Sequence, residues 1–226
     1  MSIYTLAIEA VPQLLQGVIA TLKLMVLSFV FAVVLALPIA LARLSRVRLL
    51  RALAHSYVEI VRGMPSLTLL FLLYFGLPSF GIALNAVDAA IVGLGLNGAA
   101  YVSEIYRAGI QAIERGQREA AQMLGFRRWQ VLRYVVLPQA LRIVIPPLTN
   151  YSISLLKDTS VASLISAPEM MLQARDLTSE YFMPLQIYTI VGLTYLLMAL
   201  PLSFLARQVA RALSLKSPNE TVNSHG

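Results

Sequence analysis

Three polar residues stand at a spacing that can do chemistry within an otherwise apolar stretch: Asn97, Tyr101 and Glu104. Positions i, i+4 and i+7 share one face of a helix. That face is costly against lipid, because a charge at mid-bilayer costs about 2.5–3.5 kcal/mol even on insertion scales. It is expected to look into a helix bundle or a water-filled path. Glu104 also lies one turn from Arg107, so local pairing between the two competes with a ligand role. A second charged pair, Lys157-Asp158, interrupts a later apolar run. Adjacent helical residues point about 100° apart, so one of them can face inward while the other meets a lipid headgroup or a neighbouring subunit. At 1.5 Å per residue, Glu104 falls roughly 9 Å to the inner side of the middle of its segment. Asp158 falls roughly 7 Å to the outer side of its own.

The elements that must position these groups are membrane helices. Of 226 residues, 58% are hydrophobic and only 13% charged, against about half and about a quarter in soluble domains. The net charge of +7 invites a nucleic-acid reading, but the placement of the bases weakens it. Of the 18 Lys and Arg, five lie in 43–62, seven in 107–142 and three in 207–216. Bases in alternate connections between apolar runs mark loops kept in the cytoplasm. The chain has no cysteine, and His55 and His225 lie far apart, so disulfide and zinc chemistry find no support. No P-loop occurs, so the chain has no phosphate cradle of its own for ATP, and no motif points to an enzyme.

Five spans are expected, at about 14–42, 64–80, 86–109, 141–165 and 183–208, each near the ~20 residues a bilayer needs. Ala40-Leu41-Ala42 looks like a signal-cleavage site, but the bases follow the first apolar run instead of preceding it, so a retained helix is expected. Residues 43–62 read as a basic interfacial helix, and Pro78, Gly81 and Asn85 mark a turn. GLGLNG at 93–98 fits a dinucleotide-fold expression, but no strand–turn–helix unit surrounds it, so close helix packing is expected. Pro146-Pro147 predict a kink or break in the fourth span. Asp158, Thr159 and Ser160 are N-cap types for a helix restarting at Val161. Three basic segments place the N-terminus outside and the C-terminus in the cytoplasm. Residues 1–216 are expected to form one transmembrane domain, and 217–226 a polar tail.

One stretch breaks the apolar pattern, EAAQMLGFRRWQVLRYVVLP at 119–138. It reads as two short helices joined at Gly125, a residue free to adopt positive φ, with Val131, Leu132, Val135 and Val136 on one face of the second and arginines on the other. It resembles the EAA loop of the membrane-spanning subunits of ATP-binding-cassette importers. Glu119, Ala120, Ala121, Gly125, Leu137 and Pro138 match that pattern, and Val135 replaces its isoleucine. RGMPSLTLLFLLYFGLP (62–78) and NGAAYVSEIYRAGIQAIERGQREAA (97–121) are similar to permeases of the polar amino-acid uptake family, of the histidine, glutamine and arginine type.

The resemblance implies an all-α integral membrane protein with the type I importer permease fold: five transmembrane helices and a cytoplasmic coupling loop at 111–140. It implies coupling to an ATPase through Glu119, Ala120, Ala121, Gly125, Arg128 and Pro138, with ATP held by the partner and no cofactor or metal on this chain. It implies a second permease subunit, identical or similar, two ATPase subunits and an extracytoplasmic amino-acid-binding protein, in the bacterial inner membrane. Asn97, Tyr101, Glu104 and Asp158 become the candidate substrate residues, and the two carboxylates hint at arginine, lysine or histidine. The alternatives are a channel or secondary-carrier subunit and a membrane scaffold or sensor. A passive pore needs no loop that docks a motor, whereas a scaffold or sensor would have borrowed it.

Overall fold

The structure, a computed structural model, describes residues 3–214, and all secondary structure among them is helical. The polar tail expected at 217–226, with His225, lies outside the described residues, as does Lys216. The elements are α1 (Ile3–Arg43), α2 (Arg48–Gly63), α3 (Ser66–Phe71), α4 (Ala86–Gln111), α5 (Arg115–Met123), α6 (Arg128–Gln130), α7 (Leu137–Asp158), α8 (Met170–Tyr181) and α9 (Pro184–Ser214). A π turn (Leu72–Gly76) and a 3-10 turn (Leu77–Phe80) extend α3. A π segment (Val131–Val136) joins α6 to α7, and a 3-10 helix (Thr159–Ile165) follows α7.

Four described helical runs are long and apolar enough to cross a membrane: Pro12–Arg43, Ala86–Gln111, Arg128–Ile165 and Pro184–Leu213. A fifth is reached if Arg48–Gly63 and Ser66–Phe80, which meet at 107°, count as one broken span. Pro65 makes that corner, because the residue before a proline is pushed out of the helical region. Met64 accordingly sits at φ −98°, ψ 143° and Pro65 at φ −58°, ψ 139°. The expected turn after 80 forms at Gly81, whose φ is +81°. Asn85 then caps α4: its Oδ1 accepts from the Asp88 N–H at 2.9 Å and its Nδ2 donates to the Asp88 carboxylate at 2.7 Å.

The centre of the bundle is the contact between α1 and α4. Ala32, Ala36 and Ala40 recur every four residues along α1 and are fully buried. On α4, a Cβ added to Gly95 would stand 2.9 Å from Phe31 Cγ, and one on Gly98 would stand 2.8 Å from the Ala32 Cβ and also meet the Tyr151 hydroxyl. A Cβ on Gly93 would stand 2.6 Å from a Leu70 methyl. The glycines of GLGLNG are thus close-packing positions, as small residues commonly are between membrane helices. Gly95→Val is expected to cost about 1–3 kcal/mol by overpacking, read as a lowered thermal midpoint of the solubilised complex. An unchanged midpoint would mean that Phe31 swings clear.

Two expectations for the fourth span are corrected. The helix runs through Pro146 and Pro147, which lie inside α7, and changes character at Asp158–Thr159 instead. Nor do Asp158, Thr159 and Ser160 act as N-caps. Thr159 Oγ1 donates back to the Leu156 carbonyl and Ser160 Oγ to that of Lys157, both at 2.7 Å, and Ser163 Oγ donates to Ser160 O at the same distance. Hydroxyls bonded backward compete with α-helical geometry, and here they accompany a tighter i→i+3 winding. The 3-10 helix stops at Ser166, which is left-handed at φ +61°.

Beyond it, Glu169 ties three elements together. Its fully buried carboxylate accepts from the Leu172 N–H and the Tyr195 hydroxyl, each at 2.8 Å. Next to it, the Met170 N–H donates to Thr21 Oγ1 at 3.0 Å. Burial pushes the Glu169 carboxyl above its ordinary pKa, partly offset by these donors. Glu169→Ala strands the Tyr195 hydroxyl and the α8 N-terminus. It is expected to cost about 1–3 kcal/mol, with Glu169→Gln milder, as thermal unfolding of the two variants would read.

Candidate functional site

Asn97, Tyr101, Glu104 and Ala108 form one stripe along α4, at i, i+4, i+7 and i+11. Pro147, Tyr151, Ser154 and Asp158 form the matching stripe along α7. The two stripes line two adjoining cavities in antiparallel order, so Asn97 comes to the Ser154–Asp158 end and Ala108 to the Pro147 end. Tyr101 and Tyr151 stand between the cavities and line both, with rings roughly parallel (18°) and centroids 6.4 Å apart. Phe29 of α1 backs Tyr151, also at 6.4 Å.

The first cavity has a volume of about 400 Å³. Asn97 and Tyr101 line one wall, Tyr151, Ser154 and Asp158 another, and the Met64–Pro65–Ser66 corner closes it. Three of the four expected substrate residues therefore meet here. Asp158 is the one charged residue of the lining, and it has no ion-pair partner among the described residues. Lys157 points elsewhere and is exposed, as the 100° offset requires.

Glu104 is not in that cavity. It lines the second, of about 350 Å³, with Arg62, Tyr101, Pro147 and Tyr151. Its carboxylate is taken by two guanidiniums, Arg107 one turn on and Arg43 at the end of α1. The axial offset between Glu104 and Asp158 thus persists, since α7 does not break at its prolines to close it. Arg62 lies over the Tyr101 ring at 5.2 Å from its centroid, a cation–π contact. The sequence reading missed Arg62, Ser66, Tyr151 and Ser154. Tyr151 and Ser154 were within reach of the same periodicity, seven and four residues before Asp158. Arg62 and Ser66 depend on the corner at Pro65, whose angle no local pattern gives.

Chemically, the first cavity offers an unpaired carboxylate, an amide and several hydroxyls between aromatic walls, with a guanidinium beyond the shared tyrosines. That set is complementary to an α-amino acid, which presents an ammonium and a carboxylate together.

The second functional region is the loop between α4 and α7. Helix α5 ends in a Schellman turn, with Phe126 N–H donating to Ala121 O at 3.1 Å and Gly125 N–H to Gln122 O at 2.9 Å. Gly125 is left-handed at φ +85° with open space around its Cα. Ala121 is buried with Ile113, Val131 and Val136, so its smallness brings α5 onto the π segment. Glu119, Ala120, Arg128 and Pro138 are exposed, Arg128 along a groove shared with Gln122 and Leu132. The second helix of the loop continues into the fourth span without a break. Pro138 has no N–H for the Tyr134 carbonyl, and the chain widens there to a π turn in which Leu137 N–H donates to Leu132 O. Met123 and Leu124 are 90% and 80% exposed where α5 ends, and Trp129 and Tyr134 in the segment that follows are also exposed. Exposed apolar side chains gathered in one loop make it a candidate protein-docking surface.

Comparisons with known proteins identify the family. Residues 32–215 match the family described as binding-protein-dependent transport system inner membrane component. The probable amino-acid ABC transporter permease protein YckA of Bacillus subtilis is 42% identical over 190 residues, covering 84% of each chain. The L-cystine transport system permease protein TcyB of the same organism is 39% identical over 203 residues, 89% of this chain and 87% of that one. A crystal structure of an amino acid ABC transporter with histidines superposes with a TM-score of 0.89 at 36% identity, covering 94% of this chain and 99% of the other. The chain belongs to the binding-protein-dependent transport system inner membrane component family, as a membrane-spanning permease subunit of an amino-acid ABC transporter, a transport component and not itself an enzyme.

Proposed function

We propose that this permease passes basic amino acids through the cavity between α4 and α7, with Asn97, Tyr101 and Asp158 as substrate contacts. The observation that carries the reading is Asp158, the unpaired carboxylate of an aromatic-walled cavity whose other lining residues are uncharged. It holds an ammonium or a cationic side chain, and Asn97 and Ser154 hydrogen-bond the rest. Arg62, beyond the shared tyrosines, is placed to attract the α-carboxylate. Glu104, committed to two arginines, acts on substrate through the position of Tyr101 and not by direct pairing. The similar transporter solved with histidines supports a cationic class, whereas the relative named for cystine marks the neutral alternative.

In the assembly we propose, residues 1–216 form one permease domain with its N-terminus outside and its C-terminus in the cytoplasm of a bacterium. It pairs with an identical or similar permease and carries two ATPases on the 111–140 loop, which hold the ATP, while an extracytoplasmic binding protein delivers substrate. Native mass spectrometry of the purified complex is expected to show two permeases with two ATPases. A functional complex with one permease would contradict the pairing.

The substrate reading is tested by uptake of labelled arginine into vesicles containing the full complex and its binding protein. Lysine and histidine should compete, and glutamine should compete at least about tenfold less well, because a carboxylate without an ion-pair partner in the cavity discriminates against a ligand lacking the matching charge. Equal competition by glutamine or cystine would favour the neutral class.

A further inference from the structure

A second cavity system lies at the other end of α4, away from the substrate residues. It has a volume of about 650 Å³ and lies between the ends of α1 and α4 and one face of α2. Arg48, Arg51, Ala52 and His55 line it from α2 at i, i+3, i+4 and i+7, so a complete helical stripe faces the space. Arg43 and Arg107 line it from α1 and α4.

The charges do not balance. Four guanidiniums face the cavity, and among the described residues the one carboxylate paired with any of them is Glu104, shared by Arg43 and Arg107. Among the described residues Arg48 and Arg51 have no carboxylate partner. The sole acid of α2, Glu59, is eight residues past Arg51, roughly 12 Å along the axis. The helix dipole makes this worse. Arg48 and Arg51 occupy the positive end of α2, which has no acidic residue in its first turn and no side-chain cap. A helix that begins with arginines against its own dipole, over an excess of positive charge, is complete only with an anion.

The same helix says which anion. Beside the basic stripe, Leu49 and Leu53 are 70% and 61% exposed, with Val47 at the helix start also exposed. A basic stripe adjoining a greasy one is the arrangement of a helix lying in the membrane interface. A free phosphate has no use for the leucines, whereas a phospholipid uses both stripes. From this juxtaposition we infer that the cavity between α1, α2 and α4 binds the phosphate headgroup of an anionic phospholipid, with Arg48 and Arg51 as its principal ligands. Arginine suits this role because its fork matches phosphate oxygens two at a time. The inference is independent of which amino acid the permease carries.

The test uses the assembled permease–ATPase complex in detergent, with dioctanoyl phosphatidylglycerol and dioctanoyl phosphatidylcholine as probes and native mass spectrometry as readout. Wild type should retain phosphatidylglycerol in clear preference. The double variant Arg48→Gln/Arg51→Gln should lose roughly thirtyfold in phosphatidylglycerol affinity, with phosphatidylcholine unchanged. Arg142→Gln/Arg207→Gln, which removes the same charge from elsewhere on the surface, should keep the preference. Equal binding of the two lipids by wild type would overturn the inference. So would an equal loss in the control variant, which marks diffuse attraction, and so would displacement of the lipid by millimolar inorganic phosphate, which marks a free-anion site. Thermal midpoints of both variants confirm folding. If the Arg48→Gln/Arg51→Gln protein is unstable, Arg48→Lys is measured instead, with a retained preference and a weaker affinity expected and an unchanged affinity counting against the site.

Discussion

Asp158→Asn is expected to cut arginine uptake by about 10- to 100-fold while leaving the complex assembled and its thermal midpoint unchanged. The size follows from one charge-assisted hydrogen bond, worth about 1.5–3 kcal/mol. The sparing of stability follows from the setting, since the Asp158 carboxylate caps no helix and pairs with no cation among the described residues. Asparagine keeps its shape and loses only the charge. Glu104→Gln should behave in the opposite way. It leaves Arg43, whose side chain is 7% exposed, facing Arg107 without the carboxylate that separates them. A lowered thermal midpoint is therefore the expected primary effect, with transport reduced in step. If Asp158→Asn transports normally and Glu104→Gln abolishes uptake in a stable protein, the carboxylate that reads the substrate is Glu104 and the cavity assignment is wrong.

Gly125→Val is expected to uncouple transport from ATP hydrolysis without harming insertion. The backbone at φ +85° disfavours any side chain by about 1–2 kcal/mol. The loss of the Schellman turn would displace the exposed Met123 and Leu124 side chains. Among the described residues, no atom beyond its chain neighbours lies within 4 Å of the Gly125 Cβ position, so a side chain there meets open space. The damage therefore belongs to the docking surface. Gly125→Ala separates the two causes, because it carries the same backbone strain with less bulk. Substrate-stimulated hydrolysis and co-purification of the ATPase are the measurements. If both survive Gly125→Val, the loop does not dock there.

How far the sequence could be read depended on whether the deciding contact was local. The apolar runs, the glycine stripe and the positive-φ glycine are local properties, and the helices, the α1–α4 packing and Gly125 follow them. The Asn97–Tyr101–Glu104 stripe was legible for the same reason, yet its partition was not. Arg43 reaches Glu104 from 61 residues away and engages its carboxylate, which no helical period reports. The break expected at Pro146-Pro147 does not form, because whether prolines break a membrane helix depends on the packing around them. Pro146 and Pro147 are accommodated within α7, while consecutive hydroxyls at 159, 160 and 163 bond backward where the winding tightens. The 107° corner at Pro65 was legible as a stop, but its direction, which brings Ser66 and Arg62 to the site, comes from packing against α4.

The decisive measurement is a structure of the assembled transporter with arginine bound at saturating concentration. Substrate density is expected between α4 and α7, with a cationic nitrogen within hydrogen-bond distance of Asp158 and the ligand against Asn97, Tyr101 and Tyr151. Density elsewhere in the bundle, or an empty cavity in a complex that still imports arginine, would contradict the assignment of this site.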